Sequence, residues 1–309
     1  MKKVISLLLA VMLCLSVTLS VAEEPAKTYE FVFIVKSMQF SFMLSMIDGA
    51  EKAAALVPNI HIVCEGPETP YSVTEQIELV EQAITNHVDA IMITPADSTG
   101  IVPAIEAANA AGIPIATPNT KAYGGNVLTW VGVDNYQVGY QLGKAICEAL
   151  NGEGQIVLIE GTSGNSTSTE RVDGYNDAFK EYPGIVLLDS QPADFNREKG
   201  MTVMENFLER YDHIDGVASV NKDMTMGALE AVKAADRQDE MIHVTFDVDN
   251  DCLDAIDAGD ILITGAQEEK SQIANAIYAC LLACNGFKVA PEQYIPMTLV
   301  TKDNTGLYR

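Results

Sequence analysis

Basic residues are scarce in this sequence, with 19 Lys and Arg against 43 Asp and Glu, for a net charge of −24 at pH 7. A chain this acidic repels nucleic acid and anionic lipid surfaces, because both carry dense negative charge. The excess also argues weakly against a highly anionic ligand, unless a basic pocket reverses it locally. We therefore expect no nucleic-acid partner.

Histidine and cysteine do not form the patterns that are typical of metal sites. The four histidines are scattered, and no CxxC pair or Cys/His cluster has zinc spacing. Residues 247–251 alternate oxygen-bearing side chains as a calcium loop does. However, Cys252 stands where that loop needs glycine, and Ala258 stands where it needs glutamate. We expect neither a metal nor a cofactor.

Catalytic motifs are missing as well. The sequence contains neither of the glycine-rich nucleotide-binding motifs, GxGxxG and GxxxxGK[ST], nor the hydrolase motifs GxSxG and HExxH. Residues 161–165 follow a predicted strand and could cradle an anion, but no lysine follows in the phosphate-loop position, so a plain turn is favoured. We predict a binding protein and not an enzyme.

Only one apolar run approaches membrane-spanning length, and it lies at the N-terminus. Residues 4–21 carry no charge, follow a basic start and end in small residues at the positions that a signal peptidase reads. We predict that residues 1–22 are a cleaved signal peptide; a membrane anchor and a lipid-modified Cys14 are the alternatives. The exported remainder is long enough for two lobes of ordinary domain size.

Short apolar runs alternate with amphipathic segments along the rest of the chain. Residues 30–35 form a continuous apolar run typical of a strand buried on both faces, whereas apolar residues recur at helical spacing in residues 43–57. Such alternation indicates parallel sheets that are covered by helices. Strands are predicted at residues 30–35, 60–64, 90–93, 113–117, 127–131, 156–160, 185–189, 216–220, 242–246 and 261–264.

Two successive runs of this alternation predict an α/β fold of two similar Rossmann-like lobes with parallel sheets. No linker rich in Gly, Ser or Pro separates them, so the change near residues 133–134 is interpreted as a hinge. Ligands of open parallel sheets bind beyond the carboxyl ends of the strands. Polar residues follow most of the predicted strands there, without a nucleophile paired with a base.

Several segments of the chain carry a specific pattern. The most specific is residues 189–200, and the others are residues 48–50, 93–98, 112–114, 170–174, 221–229 and 246–247. In order and spacing they resemble the type I periplasmic solute-binding proteins of sugar ABC transporters, close to the ribose-binding branch. The resemblance covers nearly all of residues 28–300. It implies two lobes joined by strand crossovers, with the ligand in the cleft.

In the second lobe, the resemblance implies five ligand-contacting residues whose chemistry suits a sugar. The Arg171 guanidinium offers a planar fork of donors, and the Asp247 carboxylate can accept from two adjacent hydroxyls. The Phe195 ring gives an apolar face for the C–H side of a sugar. Taken singly, Arg171 could pair within its own helix and Phe195 could be core. The five residues are Arg171, Phe195, Asn221, Asp247 and Gln267.

The first lobe departs from the ribose-binding pattern. Phe42 matches one aromatic residue of the family, whereas Phe40 stands in place of its Asn. Asn119-Thr120 replaces an Asp-Arg pair, and Lys36 is an addition. We include Lys36, Phe42 and Asn119 in the predicted site. These changes argue against ribose itself and leave another pentose, a hexose, a polyol or a sugar acid open.

The predicted function is that of a substrate-binding protein of an ABC sugar importer, which delivers a monosaccharide-like ligand to a membrane permease. One lobe is expected to comprise residues 28–133 and 268–297, and the other residues 134–267 and 298–309. We expect a monomer in a periplasm or at a cell surface. A sensor that presents sugar to a chemoreceptor or kinase is the alternative, followed by an exported carbohydrate-active enzyme.

Overall fold

The computed structural model describes residues 27–309, so the predicted signal peptide at residues 1–22 lies outside the described residues. The strands are β1 (Tyr29–Ile34), β2 (Ile60–Glu65), β3 (Ala90–Ile93), β4 (Ile115–Pro118), β5 (Thr129–Gly132), β6 (Glu153–Glu160), β7 (Gly184–Pro192), β8 (Gly216–Ser219), β9 (Ile242–Phe246), β10 (Ile263–Ala266), β11 (Glu292–Tyr294) and β12 (Thr298–Val300). The helices are α1 (Ser41–Ala55), α2 (Val73–Thr85), α3 (Val102–Ala110), α4 (Asn135–Ala149), α5 (Ser166–Lys180), α6 (Arg197–Arg210), α7 (Lys222–Ala234), α8 (Asn250–Ala258) and α9 (Glu269–Cys284).

The strands form two six-stranded sheets, one in each lobe. The first has the order β11-β5-β4-β3-β1-β2 and is parallel throughout. The second has the order β12-β10-β9-β8-β6-β7, in which only β12 runs antiparallel to its neighbour. The chain therefore passes between the sheets after β5, after β10 and between β11 and β12.

Helices cover both faces of the first sheet because its central strands are apolar on both faces. Met46 of α1 and Ile277 of α9 share a core with Phe33 on one face. Val80 of α2 and Ile105 of α3 lie in the core on the opposite face.

The second sheet is covered in the same way. A large core joins α4, α5, α6 and α7 to its central strands and includes Leu142, Tyr175, Phe207 and Val232. A smaller core contains Leu253 of α8 and Leu229 of α7. The predicted α/β fold of two lobes with parallel sheets is confirmed.

The predicted strands differ from the observed ones mainly at their ends. The fourth begins at Ile115 and the tenth at Ile263, two residues later than predicted in each case, and β7 is longer at both ends. β11 and β12 were not predicted. Each has three residues at the edge of a sheet, and β11 buries none of its residues fully, so neither shows an apolar run.

No helix within residues 27–309 is both long enough and apolar enough to cross a membrane.

His243 is a buried titratable group inside the second lobe. It lies on β9, and neither of its ring nitrogens has a hydrogen-bond partner among the described residues. Burial lowers its pKa from 6.5 to about 4, because desolvation disfavours the charged ring; Asp260 opposes this shift and Lys233 adds to it. The folded protein therefore keeps this imidazole neutral.

We predict that His243 makes the protein less stable in acid. Between pH 6.5 and about pH 4, the unfolded chain binds a proton on this ring that the folded protein does not bind. The free energy of unfolding should fall by about 3 kcal/mol across that window through His243 alone. His243→Leu should remove this loss, because leucine fills a similar volume without titrating.

Urea unfolding at pH 7 and at about pH 4.5 measures this effect. His61→Gln is the matched control, because His61 is exposed and lies in the first lobe. The same pH dependence in the parent protein and in His243→Leu would contradict the prediction.

Candidate functional site

A partly open cavity lies between the two sheets, and it is lined by side chains from both lobes. All eight residues predicted for the site line this one cavity. The five other lining residues are Phe40, Met43, Tyr71, Thr167 and Asp223.

Most of the lining residues stand at the carboxyl ends of strands. Lys36 follows β1 and Asn119 follows β4 in the first sheet. Asn221, Asp247 and Gln267 follow β8, β9 and β10 in the second sheet. Because these ends of the two sheets face the same cleft, residues far apart in the sequence meet there.

Left-handed backbone is concentrated at the cavity. Tyr71, Asn119, Phe195 and Asp247 have φ values of 63°, 66°, 53° and 75°. This region is unfavourable for L-residues, above all for bulky ones, and costs about 1–3 kcal/mol for each residue. Four of the nine such non-glycine residues in the described chain line this cavity. Surrounding contacts hold the backbone of these residues in a conformation that is unfavourable for them.

Lys36 is a buried cation, with a side chain that reaches the cavity from the end of β1. Only 4% of the residue is exposed. Its Nζ donates to Asn119 Oδ1 at 3.3 Å and to Thr120 Oγ1 at 3.0 Å, and lies 5.3 Å from the centre of the Phe195 ring. Burial lowers the pKa of Lys36 to about 7, Arg171 lowers it further and Asp247 opposes the shift.

Arg171 is a second buried cation and lies on α5. Its Nε donates to Asn135 Oδ1 at 2.9 Å, and an Nη donates to the Val220 carbonyl at 2.7 Å. The guanidinium carbon lies 4.0 Å from the centre of the Phe246 ring. These contacts orient the planar group and leave other N–H donors for the cavity, because a guanidinium carries five.

A chain of polar side chains crosses from one lobe to the other. Asn119 Nδ2 lies 3.5 Å from Gln267 Oε1, and Gln267 Nε2 donates to Asp247 Oδ1. Burial raises the pKa of Asp247 to about 6, while Arg171 and the Gln267 hydrogen bond oppose this rise. Together with Lys36, these groups give the cavity both donors and acceptors in a fixed arrangement.

Aromatic rings form the apolar wall of the cavity. Phe195 stacks on Tyr71 across the two lobes, with ring centres 5.9 Å apart and planes 20° apart, and Tyr71 contacts Phe40 at 5.5 Å. The Tyr71 amide donates to the Lys36 carbonyl at 2.9 Å, which fixes the loop that carries the ring. Sequence reasoning missed Tyr71 because it lies in a loop before α2, several residues beyond its strand.

Thr167 and Met43 were also missed, and Asp223, which follows a predicted strand, was left out of the predicted site. They lie in the first turns of α5, α1 and α7, where each helix meets the cleft. A helix that follows a strand begins at the same edge of the sheet, so the first turn after each predicted strand would have been the signal to use.

Further contacts join the lobes beside the cavity. The Asn165 side chain donates to the Pro95 and Ala96 carbonyls, both at 3.1 Å, and also accepts from Thr167 N at the start of α5. The Ser98 amide donates to the Gly164 carbonyl at 3.0 Å. The lobes are thus closed on one another.

The cavity is built to hold a small polar molecule. It combines buried hydrogen-bonding groups with an aromatic wall, an arrangement that recognises hydroxyl groups on one side and an apolar face on the other. Among the described residues, no group of three or more His, Cys, Asp or Glu side chains could hold a metal ion.

The sequence of the whole molecule gives the class of the protein. A profile of the periplasmic binding protein domain matches residues 31–288. The chain belongs to this family of periplasmic binding proteins. It is therefore a solute-binding protein and not an enzyme, as predicted.

Individual relatives agree with this assignment. The chain is 30% identical to the ribose import binding protein of Escherichia coli (strain K12) over 302 residues, which cover 98% of this chain and 99% of that protein. It is 29% identical over 276 residues to the D-allose-binding periplasmic protein of the same organism, covering 86% of this chain and 88% of that one.

A solved structure is also similar. The solute-binding protein of Bacillus halodurans C-125 with bound myo-inositol has a TM-score of 0.87 and 29% identity, and the match covers 92% of this chain and 98% of that chain.

We predict that the position of Phe195 depends on the absence of a side chain at Gly161. A Cβ at Gly161 would overlap the Phe195 ring, while the backbone of Gly161 itself is not left-handed. Gly161→Ala should lower the free energy of unfolding by about 1–3 kcal/mol through overpacking. Gly306→Ala is the control, because a Cβ there meets nothing within 4 Å. Urea unfolding compares the two, and equal stability would refute this dependence.

Proposed function

We propose that this chain is the substrate-binding protein of an ABC sugar importer, which binds a monosaccharide-like ligand between its lobes and delivers it to a membrane permease. The observation that carries this proposal is the cavity itself. Buried donors and acceptors from both sheets surround a cavity with an aromatic wall. Family membership supports the same function.

The names of the relatives support a sugar or polyol as the ligand class. Ribose, D-allose and myo-inositol appear in the names of the three proteins compared above. These molecules share several adjacent hydroxyl groups and a ring with an apolar C–H face.

We assign the contacts of the bound ligand to the predicted residues. Asp247 accepts from two adjacent hydroxyls, while Asn221 and Gln267 each donate and accept. The Arg171 guanidinium donates to ring or hydroxyl oxygens, and the Phe195 ring covers the C–H face. Lys36, Phe42 and Asn119 complete the site from the first lobe.

We also propose the division of the chain into lobes. Residues 28–133 and 268–297 form one lobe, and residues 134–267 and 298–309 form the other. The pairing of β11 with β5 and of β12 with β10 supports this division. Closure of the lobes around the ligand is a hinge motion, biased by contacts that the ligand shares between them.

Export and partners complete the proposal. Membership of a periplasmic family supports an exported monomer in a periplasm or at a cell surface, with the signal peptide at residues 1–22. An ABC transporter permease is the partner, since relatives are named as import proteins. Presentation of the ligand to a chemoreceptor or sensor kinase stays a prediction, which a neighbouring kinase gene in place of a permease gene would favour.

A thermal-shift screen tests the function. We expect a monosaccharide or polyol at a thousandfold above its Kd to stabilise the protein by about 4 kcal/mol, which is several degrees in Tm. With that ligand, Arg171→Ala should lower the affinity by about 30-fold or more, because it removes buried charge-assisted hydrogen bonds. Calorimetry measures the loss.

Two further variants make this test specific. Arg171→Lys keeps the positive charge but not the planar fork of donors, so it should also bind weakly. Because lysine fills most of the space that alanine leaves empty, this variant separates the loss of the donors from the loss of packing. Arg210→Ala should bind normally, because Arg210 is exposed and pairs with Asp189 away from the cleft. No response to any sugar, polyol or sugar acid would refute the proposed function. Full affinity in folded Arg171→Ala would refute only the role of that residue.

We predict that Asn165 stabilises the closed form. Asn165→Ser should keep a cap for α5 but lose the bonds to the Pro95 and Ala96 carbonyls, and the ligand affinity should fall about tenfold. Asn196→Ser is the matched control, because Asn196 caps α6 and its side chain accepts from Lys199 N within the same lobe. Calorimetry gives the affinity, and X-ray scattering gives the compactness. An equal loss of affinity in both variants would argue against an interlobe role.

A further inference from the structure

The charges buried at the cavity are unequal. Lys36, Arg171 and Asp247 are 4%, 2% and 8% exposed, so two cations stand against one carboxylate. Neither cation has an ion-pair partner within 4.0 Å among residues 27–309. A buried charge that lacks a counterion is unfavourable, and a pairing group from a ligand removes this penalty.

The other charged groups near the cavity do not pair with Lys36 or Arg171, although Lys222, Asp223 and Asp249 together carry one negative charge in excess. Asp223 lines the cavity, but its carboxylate lies 3.0 Å from Lys222 Nζ, which also pairs with Asp249. Tyr71 remains neutral, because burial raises the pKa of its phenol well above the usual range. The excess positive charge therefore belongs to Lys36 and Arg171.

Lys36 is placed to receive an acceptor from the ligand. Its ammonium has three donors, and Asn119 and Thr120 accept two hydrogen bonds from it. Both acceptors are neutral, so they orient Lys36 without neutralising it. Arg171 is likewise held by a neutral amide and a backbone carbonyl.

We propose that the ligand is a sugar acid, a polyhydroxylated molecule with one carboxylate, and that Lys36 binds this carboxylate. This inference rests on the proposed function and specifies its ligand class. One carboxylate neutralises the excess of one positive charge among Lys36, Arg171 and Asp247, whereas a neutral sugar offers these cations no counterion. A phosphate ester carries close to two negative charges at pH 7 and would reverse the excess.

The pKa of Lys36 gives this assignment a thermodynamic signature. Burial lowers that pKa to about 7, so part of the lysine is neutral above pH 7 in the free protein. A bound carboxylate favours the charged form and raises the pKa. Binding of a sugar acid at about pH 8 should therefore take up a proton at Lys36, and the affinity should fall as the pH rises above 7.

Asp247 also titrates near pH 7, so its contribution to proton uptake must be distinguished from that of Lys36. Its pKa of about 6 means that it loses a proton below pH 7, and the resulting negative charge also disfavours an anionic ligand. A variant that lacks only the lysine charge distinguishes the two, since proton uptake at Asp247 would persist in it.

Calorimetry with matched acid and neutral ligands tests the inference. The pairs are D-glucuronate and D-glucose, D-galacturonate and D-galactose, D-gluconate and D-glucitol, and D-ribonate and D-ribose. At least one acid should bind about 30-fold or more tightly than its neutral partner, and Lys36→Met should abolish that preference. Titrations at pH 8 in two buffers of different ionisation enthalpy measure the proton uptake, which Lys36→Met should also abolish.

Two variants control the charge change. Lys52→Met removes an exposed lysine from α1 in the same lobe and should keep the preference for the acid. Lys36→Arg keeps the positive charge and should retain part of the preference for the acid.

Each outcome decides between the two proposals. A neutral sugar that binds as tightly as its acid would overturn the sugar-acid inference and leave the proposed function intact. An acid preference that survives in folded Lys36→Met would overturn the role of Lys36. Failure of every acid and every neutral sugar or polyol to bind would refute the proposed function and this inference with it.

Discussion

The carboxyl ends of two parallel sheets face one another across a single cleft, and the rest of the site depends on this constraint. Lys36 and Asn119 come from the first sheet, and Asp247 and Gln267 from the second. Each is held within a residue or two of a buried strand, so its backbone cannot move without disturbing a core. The polar chain from Asn119 through Gln267 to Asp247 forms only when the two sheets approach. The side chains that join the lobes therefore also line the cavity.

The unfavourable features of the molecule are concentrated in the same place. Left-handed backbone at Tyr71 and Phe195, and the buried charges of Lys36 and Arg171, all reduce the stability of the closed form. The cores of both lobes reach the cavity at Phe195 and Met43 and supply the stability that tolerates these features. A binding site can hold such groups because their optimal partners belong to the ligand.

Strongly apolar strands made most of the fold predictable from the sequence. The apolar run predicted as the first strand corresponds to β1, which is buried throughout its centre. The three-residue strand β11 has no apolar run and was missed. The eight predicted site residues all line the cavity. Five of them were implied by the resemblance to solute-binding proteins, and three were added from the first lobe. Tyr71 was not predictable in this way, since only its stacking on Phe195 from the other lobe brings it to the site. The roles of the eight predicted residues in ligand binding remain predictions.

The acidic character of the whole chain does not conflict with a positively charged cavity. Exposed carboxylates act through water, where salt screens them within about a Debye length of 8–10 Å. The contacts of Asn165 with Pro95 and Ala96 hold the lobes together beside the cavity, and Lys36, Arg171 and Asp247 are almost fully buried, so these charges interact more strongly with one another than with the surface. Burial of Lys36 in the closed form thus makes its charge unfavourable without a counterion. A ligand that compensates it favours the closed form, and this makes the charge of the ligand part of the closing step itself.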